Sequence, residues 1–285
     1  ITPLVQIDHR HWVQELFHGP TLAFKDVALQ LVGKLFDHVL SARGERVTIV
    51  GATSGDTGSA AIDGVSGCAN VDIVILYPLG RTSDVQRKQM TTVDAPNVHT
   101  VAVEGTFDDC QDLVKAMFND VDFRTRNQLS AVNSINWARI MAQTVYYVTA
   151  SEAFATAPTF SVPTGNFGNI LAAYYAKRMG LPIAKLICAS NKNNVLTDFF
   201  NKGEYSLDRD FHKTMSPSMD ILISSNLERL LFELVERDSD KVNDMMSRLG
   251  SDSVYTIDGQ AKAELEEDFY ADWCSEAETM ACINE

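Results

Sequence analysis

The chain has 285 residues, with 24 Lys and Arg against 38 Asp and Glu and a formal net charge of −14. Hydrophobic residues make up 45% and charged ones 22%, which excludes disordered and fibrous classes and leaves one large domain or two modest ones. So acidic a chain lacks the basic surface that a phosphate-backbone binder needs, and no nucleic-acid partner is expected.

Residues 153–176 form the longest charge-free stretch, but Pro158, Pro163, Asn166 and Asn169 interrupt it. A membrane span needs roughly 20 continuous apolar residues, so no membrane partner is expected. The five cysteines, Cys68, Cys110, Cys188, Cys274 and Cys282, form no Cys-x-x-Cys pair and fit no zinc template. The reading is of reduced thiols in a cytosolic or organelle-matrix enzyme without a metal, with a cytoplasmic location expected.

Along the chain, β-rich runs alternate with helical windows. The window 26–40 comes first, with Val27, Leu31, Leu35 and Phe36 at helical spacing. Strands are predicted over 47–50 (VTIV), 71–77 (VDIVILY, closed by Pro78) and 98–103 (VHTVAV), with helices over 59–64, 106–118 and 137–154. The order strand, loop, helix, strand returns over 160–163, 170–179 and 186–189. Strands separated by helices of this length imply parallel βαβ units, hence a layered α/β class. From residue 204 onward the chain is acidic and reads as mostly helical, with strand signals near 219–223 and 254–257.

Two loops each follow a strand and open a helix: 51–58 (GATSGDTG) and 162–169 (VPTGNFGN). A helix start presents free N–H groups and about half a positive charge, so each can hold an anion. Neither loop fits a P-loop or a dinucleotide fingerprint, and either one alone also reads as a plain strand–helix turn with Asp56 or Thr57 as a cap. A third feature is Lys25, beside Ala23 and Phe24 where a helix begins. Apolar neighbours and the helix start both disfavour its cation, which favours a neutral, nucleophilic amine. The other local reading is a lysine that snorkels out of the first turn.

Residues 15–30 (ELFHGPTLAFKDVALQ), 51–61 (GATSGDTGSAA), 132–140 (VNSINWARI) and 162–169 occur in that order, and together the chain resembles the threonine synthase family of fungi and many bacteria. The resemblance covers about 15–226. It implies a pyridoxal 5'-phosphate enzyme of the tryptophan synthase β-subunit-like group (fold type II), with two open parallel-type α/β domains. The expected division is 1–45 as a cofactor-lysine segment of the large domain, 46–150 as the smaller domain, and 151–285 as the remainder of the large one.

By the same resemblance, Lys25 is the catalytic residue and carries the cofactor as a Schiff base, and Gly165, Asn166, Phe167, Gly168 and Asn169 cradle the cofactor phosphate. Thr53, Ser54, Gly55, Asp56 and Thr57 would hold the amino-acid part of the substrate. Asp56 would repel a carboxylate, so its side chain is expected to cap the loop or helix. Ser134, Asn136 and Arg139 would meet the substrate's phosphate. For Asn136 an N-cap role stays open, and for Arg139 a place on a solvated helix face. His18 is expected to brace its loop, and Arg81 is a further phosphate candidate.

The implied reaction converts O-phospho-L-homoserine and water to L-threonine and phosphate. Lys25, displaced by the substrate amine, would shuttle protons while phosphate leaves Cγ and water adds at Cβ. Other lyases of the cofactor group (a serine/threonine dehydratase or a β-replacement synthase) and an inactive cofactor-binding relative are the alternatives. The family also has a small domain ahead of the lysine motif and a later segment giving a hydroxyl to the cofactor ring nitrogen. Neither has a counterpart in 1–285, so a core fragment is expected. Asn169 stands where many relatives carry Asp.

Overall fold

The computed structural model describes residues 2–53 and 55–284. The chain divides into two compact units, Ile1–Ala142 and Gln143–Glu285. Residues 1–45 therefore group with the first sheet, whereas the expected division assigned them to the large domain with 151–285. The physical reason is α1, whose packing is described below.

The first unit opens with an antiparallel hairpin of β1 (Leu4–Gln6) and β2 (Trp12–Gln14). Asp8 closes its turn by accepting from the Arg10 and His11 N–H groups. Then come α1 (Asp26–Arg43), β3 (Val47–Ala52), α2 (Asp56–Val65), β4 (Val71–Pro78), α3 (Asp84–Thr91) and β5 (Val98–Val103). They are followed by α4 (Phe107–Asn119), α5 (Val121–Arg126), β6 (Leu129–Ser130) and the start of α6 (Trp137–Ser151). All four strands of the main sheet run parallel in the order β5-β4-β3-β6.

Side chains alternate across a strand, so this sheet has two buried faces. Ile49, Ile73 and Ile75 pack with Leu29, Ile62, Val65 and Met90 on one side. Val50 and Leu76 pack with Cys110, Val114 and Phe118 on the other. Helix α1 ends at Gly44, whose left-handed φ of 66° lets its N–H reach back to the Leu40 and Ser41 carbonyls. The helix buries only part of the stripe its apolar spacing suggested: Phe36 packs against the core and Val27 is half-buried. Leu31 and Leu35 are exposed, and the packed face is Ala28, Leu29, Val32, Gly33 and Leu40. Gly33 decides this, because its bare backbone lets α1 lie directly against Gly64 of α2.

The second unit contains β7 (Thr159–Pro163), α7 (Gly168–Arg178), β8 (Lys185–Ser190), α8 (Val195–Lys202), β9 (Glu204–Ser206) and α9 (Leu227–Leu234). It continues with α10 (Ser239–Asp252), β10 (Val254–Thr256), α11 (Gly259–Asp268), β11 (Phe269–Trp273) and α12 (Glu276–Asn284). Its main sheet is parallel, in the order β11-β8-β7, and β9 pairs antiparallel with β10. Phe167, Tyr174, Phe199, Phe200, Tyr205, Tyr255 and Phe269 form a continuous aromatic core.

The parallel α/β class expected from the sequence is what the molecule has. One strand signal fails: 217–219 is a short 3-10 turn, and 219–223 joins no sheet. The Asp220 carboxylate accepts from Asn191 Nδ2 (2.8 Å), Asn193 Nδ2 (3.0 Å), Thr214 Oγ1 (2.7 Å) and Thr214 N (2.9 Å). Those bonds fold the segment into a closed polar knot, which competes successfully with a ladder.

Candidate active site

In the first unit the strand order itself locates a crevice. The chain steps from β3 to β4 to β5 in one direction, whereas β6 lies on the other flank of β3. Ligands of open parallel sheets bind outside the carboxyl ends of the strands where the order reverses. The two segments that leave β3 and β6 there are 53–57 and 131–136, which carry most of the expected substrate residues.

Lys25 is the residue just before α1, with αR backbone angles of φ −77° and ψ −17°. Its side chain is 12% exposed, so the snorkelling alternative does not hold. Nζ donates to Asp56 Oδ2 at 2.6 Å and lies 5.2 Å from the Phe24 ring centre. Burial lowers the pKa of the amine, Asp56 opposes that by pairing with the ammonium, and the Arg139 cation adds to the lowering. A buried neighbour holds the turn in place: Asp26 accepts from Thr21 N at 2.9 Å and from the Thr21 hydroxyl.

Asp56 does not cap in the expected way. It is the first residue of α2; Gly55 occupies the cap position and makes no side-chain cap bond. One carboxylate oxygen takes Lys25 and the other accepts from Thr57 N at 3.1 Å. Thr53 is buried, and its Oγ1 accepts from Gly55 N (3.0 Å) and Gly58 N (2.9 Å), so the hydroxyl braces the loop from inside. Ser54 lies outside the described residues. Gly55 (φ 156°) lies against Gln86, whose side chain occupies the space a Cβ would need.

Asn136 is a helix cap: its Oδ1 accepts from Arg139 N at 3.3 Å at the start of α6. Arg139 is 2% exposed, which overturns the solvated-face alternative. Ser134 is half-buried nearby in sequence. His18 is exposed and bonded to Glu15 at 2.6 Å, a brace as expected, and Arg81 is exposed.

In the second unit the loop 164–169 leaves the carboxyl end of β7 and opens α7. Thr164 N donates to the Ala189 carbonyl of β8, and Phe167 takes the cap position with φ 63°. A left-handed phenylalanine is unusual; burial in the aromatic core, against Phe200 and Phe269, offsets its strain. The first N–H groups of α7 have no intrahelical partner and face outward from the helix start. A Cβ on Gly165 would stand 3.0 Å from Met219 Cα and 3.2 Å from the Ser218 carbonyl oxygen, so the loop is packed tightly at this glycine.

Four supporting residues carry no signal in the motifs. Ser224 Oγ donates to the Gly165 carbonyl (2.7 Å) and Asn226 Nδ2 to the Asn166 carbonyl (3.0 Å). Tyr147 donates to Asn169 Oδ1 at 2.8 Å, and Tyr205 receives Ser224 N at 2.8 Å. Among the described residues no cluster fits a metal ion, and no helix is long and apolar enough to cross a membrane. The Cys188 thiol, buried in β8, is pushed up to about 12 and stays protonated.

In the first unit a buried amine at a helix start has the chemistry to take an aldehyde, and in the second the glycine-containing start of α7 has the chemistry to take a phosphate; pyridoxal phosphate carries both groups. Similarity to known proteins agrees. The chain is 51% identical over 288 residues to the threonine synthase of Pseudomonas aeruginosa, covering 100% of this chain and 61% of that protein. A crystal structure of pyridoxal-phosphate-bound threonine synthase from Brucella melitensis matches with a TM-score of 0.93 and 52% identity, over 96% of this chain and 60% of that one. Yeast threonine synthase matches with a TM-score of 0.93 and 45% identity, over 98% of this chain and 60% of that one. The chain thus spans about three fifths of the length of these relatives. Residues 1–259 match the family described as pyridoxal-phosphate dependent enzymes, and the chain belongs to that family.

Proposed function

We propose that the protein is a threonine synthase, converting O-phospho-L-homoserine and water to L-threonine and phosphate. The observation that carries this reading is the buried Lys25 amine paired with the Asp56 carboxylate, with the buried Arg139 guanidinium acting on it as a like charge. The names of its relatives support it.

Bound pyridoxal phosphate supplies an electron sink for negative charge developed beside the substrate nitrogen. The rest falls to the chain. Residues Gly165, Asn166, Phe167, Gly168 and Asn169 would hold the cofactor phosphate through backbone N–H groups, and Lys25 would hold its aldehyde end. The free amine of Lys25 would take the substrate's α-proton. Burial and Arg139 favour the neutral form that this step needs. Thr53 braces the loop that opens α2, its hydroxyl accepting from Gly55 N and Gly58 N. Arg139, with Ser134 beside it in sequence, binds the γ-phosphate by charge-assisted bonds, a demand that a dehydratase of unphosphorylated amino acids does not make.

Borohydride reduction of the cofactor-loaded protein, followed by peptide mass mapping, tests the lysine. A pyridoxyl adduct on Lys25 is expected, with threonine and phosphate formed in equal amounts from O-phospho-L-homoserine before reduction. An unmodified Lys25 sinks the assignment. An adduct with no turnover of the phosphorylated substrate favours an inactive cofactor-binding relative.

A further inference from the structure

The bond between Lys25 and Asp56 joins residues 31 positions apart on two different helices, and both stand at helix starts. Asp56 is held so that its second oxygen is occupied by Thr57 N, leaving Oδ2 aimed at Nζ. The helices that carry them touch through bare backbone at Gly33 and Gly64, so the separation of the two side chains is set by helix packing rather than by loop conformation. The charged groups acting on Lys25 are Asp56 on α2 and Arg139 on α6, of opposite sign. Asp56 therefore stands where no substrate carboxylate would be welcome, and its position is explained by the amine.

We propose that Asp56 is a positioning residue for the reactive lysine: its carboxylate holds the Lys25 amine, and the proton that amine carries, whenever the amine is not joined to the cofactor. This deepens the proposed function and rests on it. An amine that has taken a proton from carbon is an ammonium, which burial and the Arg139 cation both disfavour unless a carboxylate holds it. Asp56 keeps that proton within the site for return to the substrate and keeps Nζ from swinging to solvent. Arg139 limits the effect, so the amine still gives up its proton.

The test reads the amine directly. Full-length protein is freed of cofactor with hydroxylamine, its folding is checked by its melting curve, and Lys25 is acetylated with acetic anhydride across a pH series and quantified by peptide mass. In Asp56→Asn the midpoint of labelling is expected to fall by about one pH unit or more, the shift an adjacent opposite charge produces. Asp56→Glu, which keeps the charge, is expected to return it towards the parent value, an outcome that a merely structural role does not give. Should Asp56→Asn not fold, Asp56→Ser is read in its place. An unmoved midpoint in a folded variant overturns the proposal. No substrate enters this measurement, so its outcome is separate from the proposed function: a moved midpoint in a protein that makes no threonine refutes only the latter, and normal threonine formation with an unmoved midpoint refutes only the role of Asp56.

Discussion

Gly33 and Gly64 touch backbone to backbone: a Cβ placed on Gly33 would fall 2.7 Å from the Gly64 carbonyl carbon and nearer still to its oxygen. The reverse substitution fares no better, since a Cβ on Gly64 would stand 2.6 Å from the Leu29 carbonyl oxygen. Neither clash involves a side chain that can turn away. Gly33→Ala is therefore expected to destabilise the protein by about 3 kcal/mol, at the upper end for overpacking, because α1 must move off α2 as a whole. Denaturant unfolding checks the stability. Slower cofactor capture by the surviving folded fraction checks that Lys25 has lost its register.

Arg139 is expected to serve the substrate's phosphate and to hold down the basicity of Lys25 at once. Arg139→Gln should raise KM for O-phospho-L-homoserine by about 10- to 100-fold, the value of a charge-assisted hydrogen bond. It should also raise the lysine's pKa, since a repelling cation is gone. The neutral amine then appears only at higher pH, so the acid limb of the rate profile moves up. A pH series of kcat/KM for the two proteins reads both effects. Arg139→Lys keeps the charge but loses the planar fork, so KM should still rise while the limb stays in place.

Tyr147 donates to both the side chain and the backbone carbonyl of Asn169, at 2.8 and 3.1 Å. Burial pushes its phenol well above the ordinary range, so it remains a donor at every working pH. Tyr147→Phe should cost about 1 kcal/mol of stability, the net value of a buried hydrogen bond. Because Asn169 lies in the cofactor-phosphate loop, affinity for pyridoxal phosphate should fall several-fold as well. Equilibrium titration of the cofactor separates that loss from the change in unfolding free energy.

Alkali should loosen the second unit through Tyr205. Its hydroxyl donates to the Leu222 carbonyl and accepts from Ser224 N, and burial pushes it up to about 12 from an ordinary 10.0. A phenol with a raised folded pKa contributes stability that is complete below the unfolded value and lost as pH rises through the folded one. Between pH 10 and 12 Tyr205 alone should therefore contribute a loss of about 1.4 kcal/mol for each pH unit, added to the losses from the buried Tyr147 and Tyr255, whose phenols are also pushed up. Urea unfolding at several alkaline pH values measures the slope, and Tyr205→Phe should lower it by that share.

The sequence revealed elements where burial is periodic or continuous. The strands at 47–52, 71–78 and 98–103 carry the apolar density that a two-faced sheet demands, and their bounds differ from expectation by a residue or two. Short pieces such as β6 and β9 escape because two or three residues hold no period. The stripe Leu31 and Leu35 misled because spacing reports which residues share a face, not which face finds a partner. That choice belonged to Gly33. At the site, Lys25 and both loops were legible as motifs, whereas the pairing of Lys25 with Asp56 was not. A cap reading for Asp56 used only its neighbours in sequence, and its actual partner arrives by tertiary packing. Arg139 is similar, since nothing local marks a helix face as interior. The failed strand at 219–223 has the same origin: four bonds to Asp220 come from residues 6 to 29 positions away.

The parallel order of the first sheet has a practical side. Every strand there sends its carboxyl end towards the same rim, which leaves the opposite rim to turns without chemical duty. Gly44 and Gly67 stand in two of those turns, and a Cβ on either would meet nothing within 4 Å. Strand β3 alone puts about 20 Å between the two rims. The bond between Gly44 and Glu45 is thus a site for inserting an epitope or an affinity handle, with exposed chain on both sides and the reacting groups at the far end of the strand.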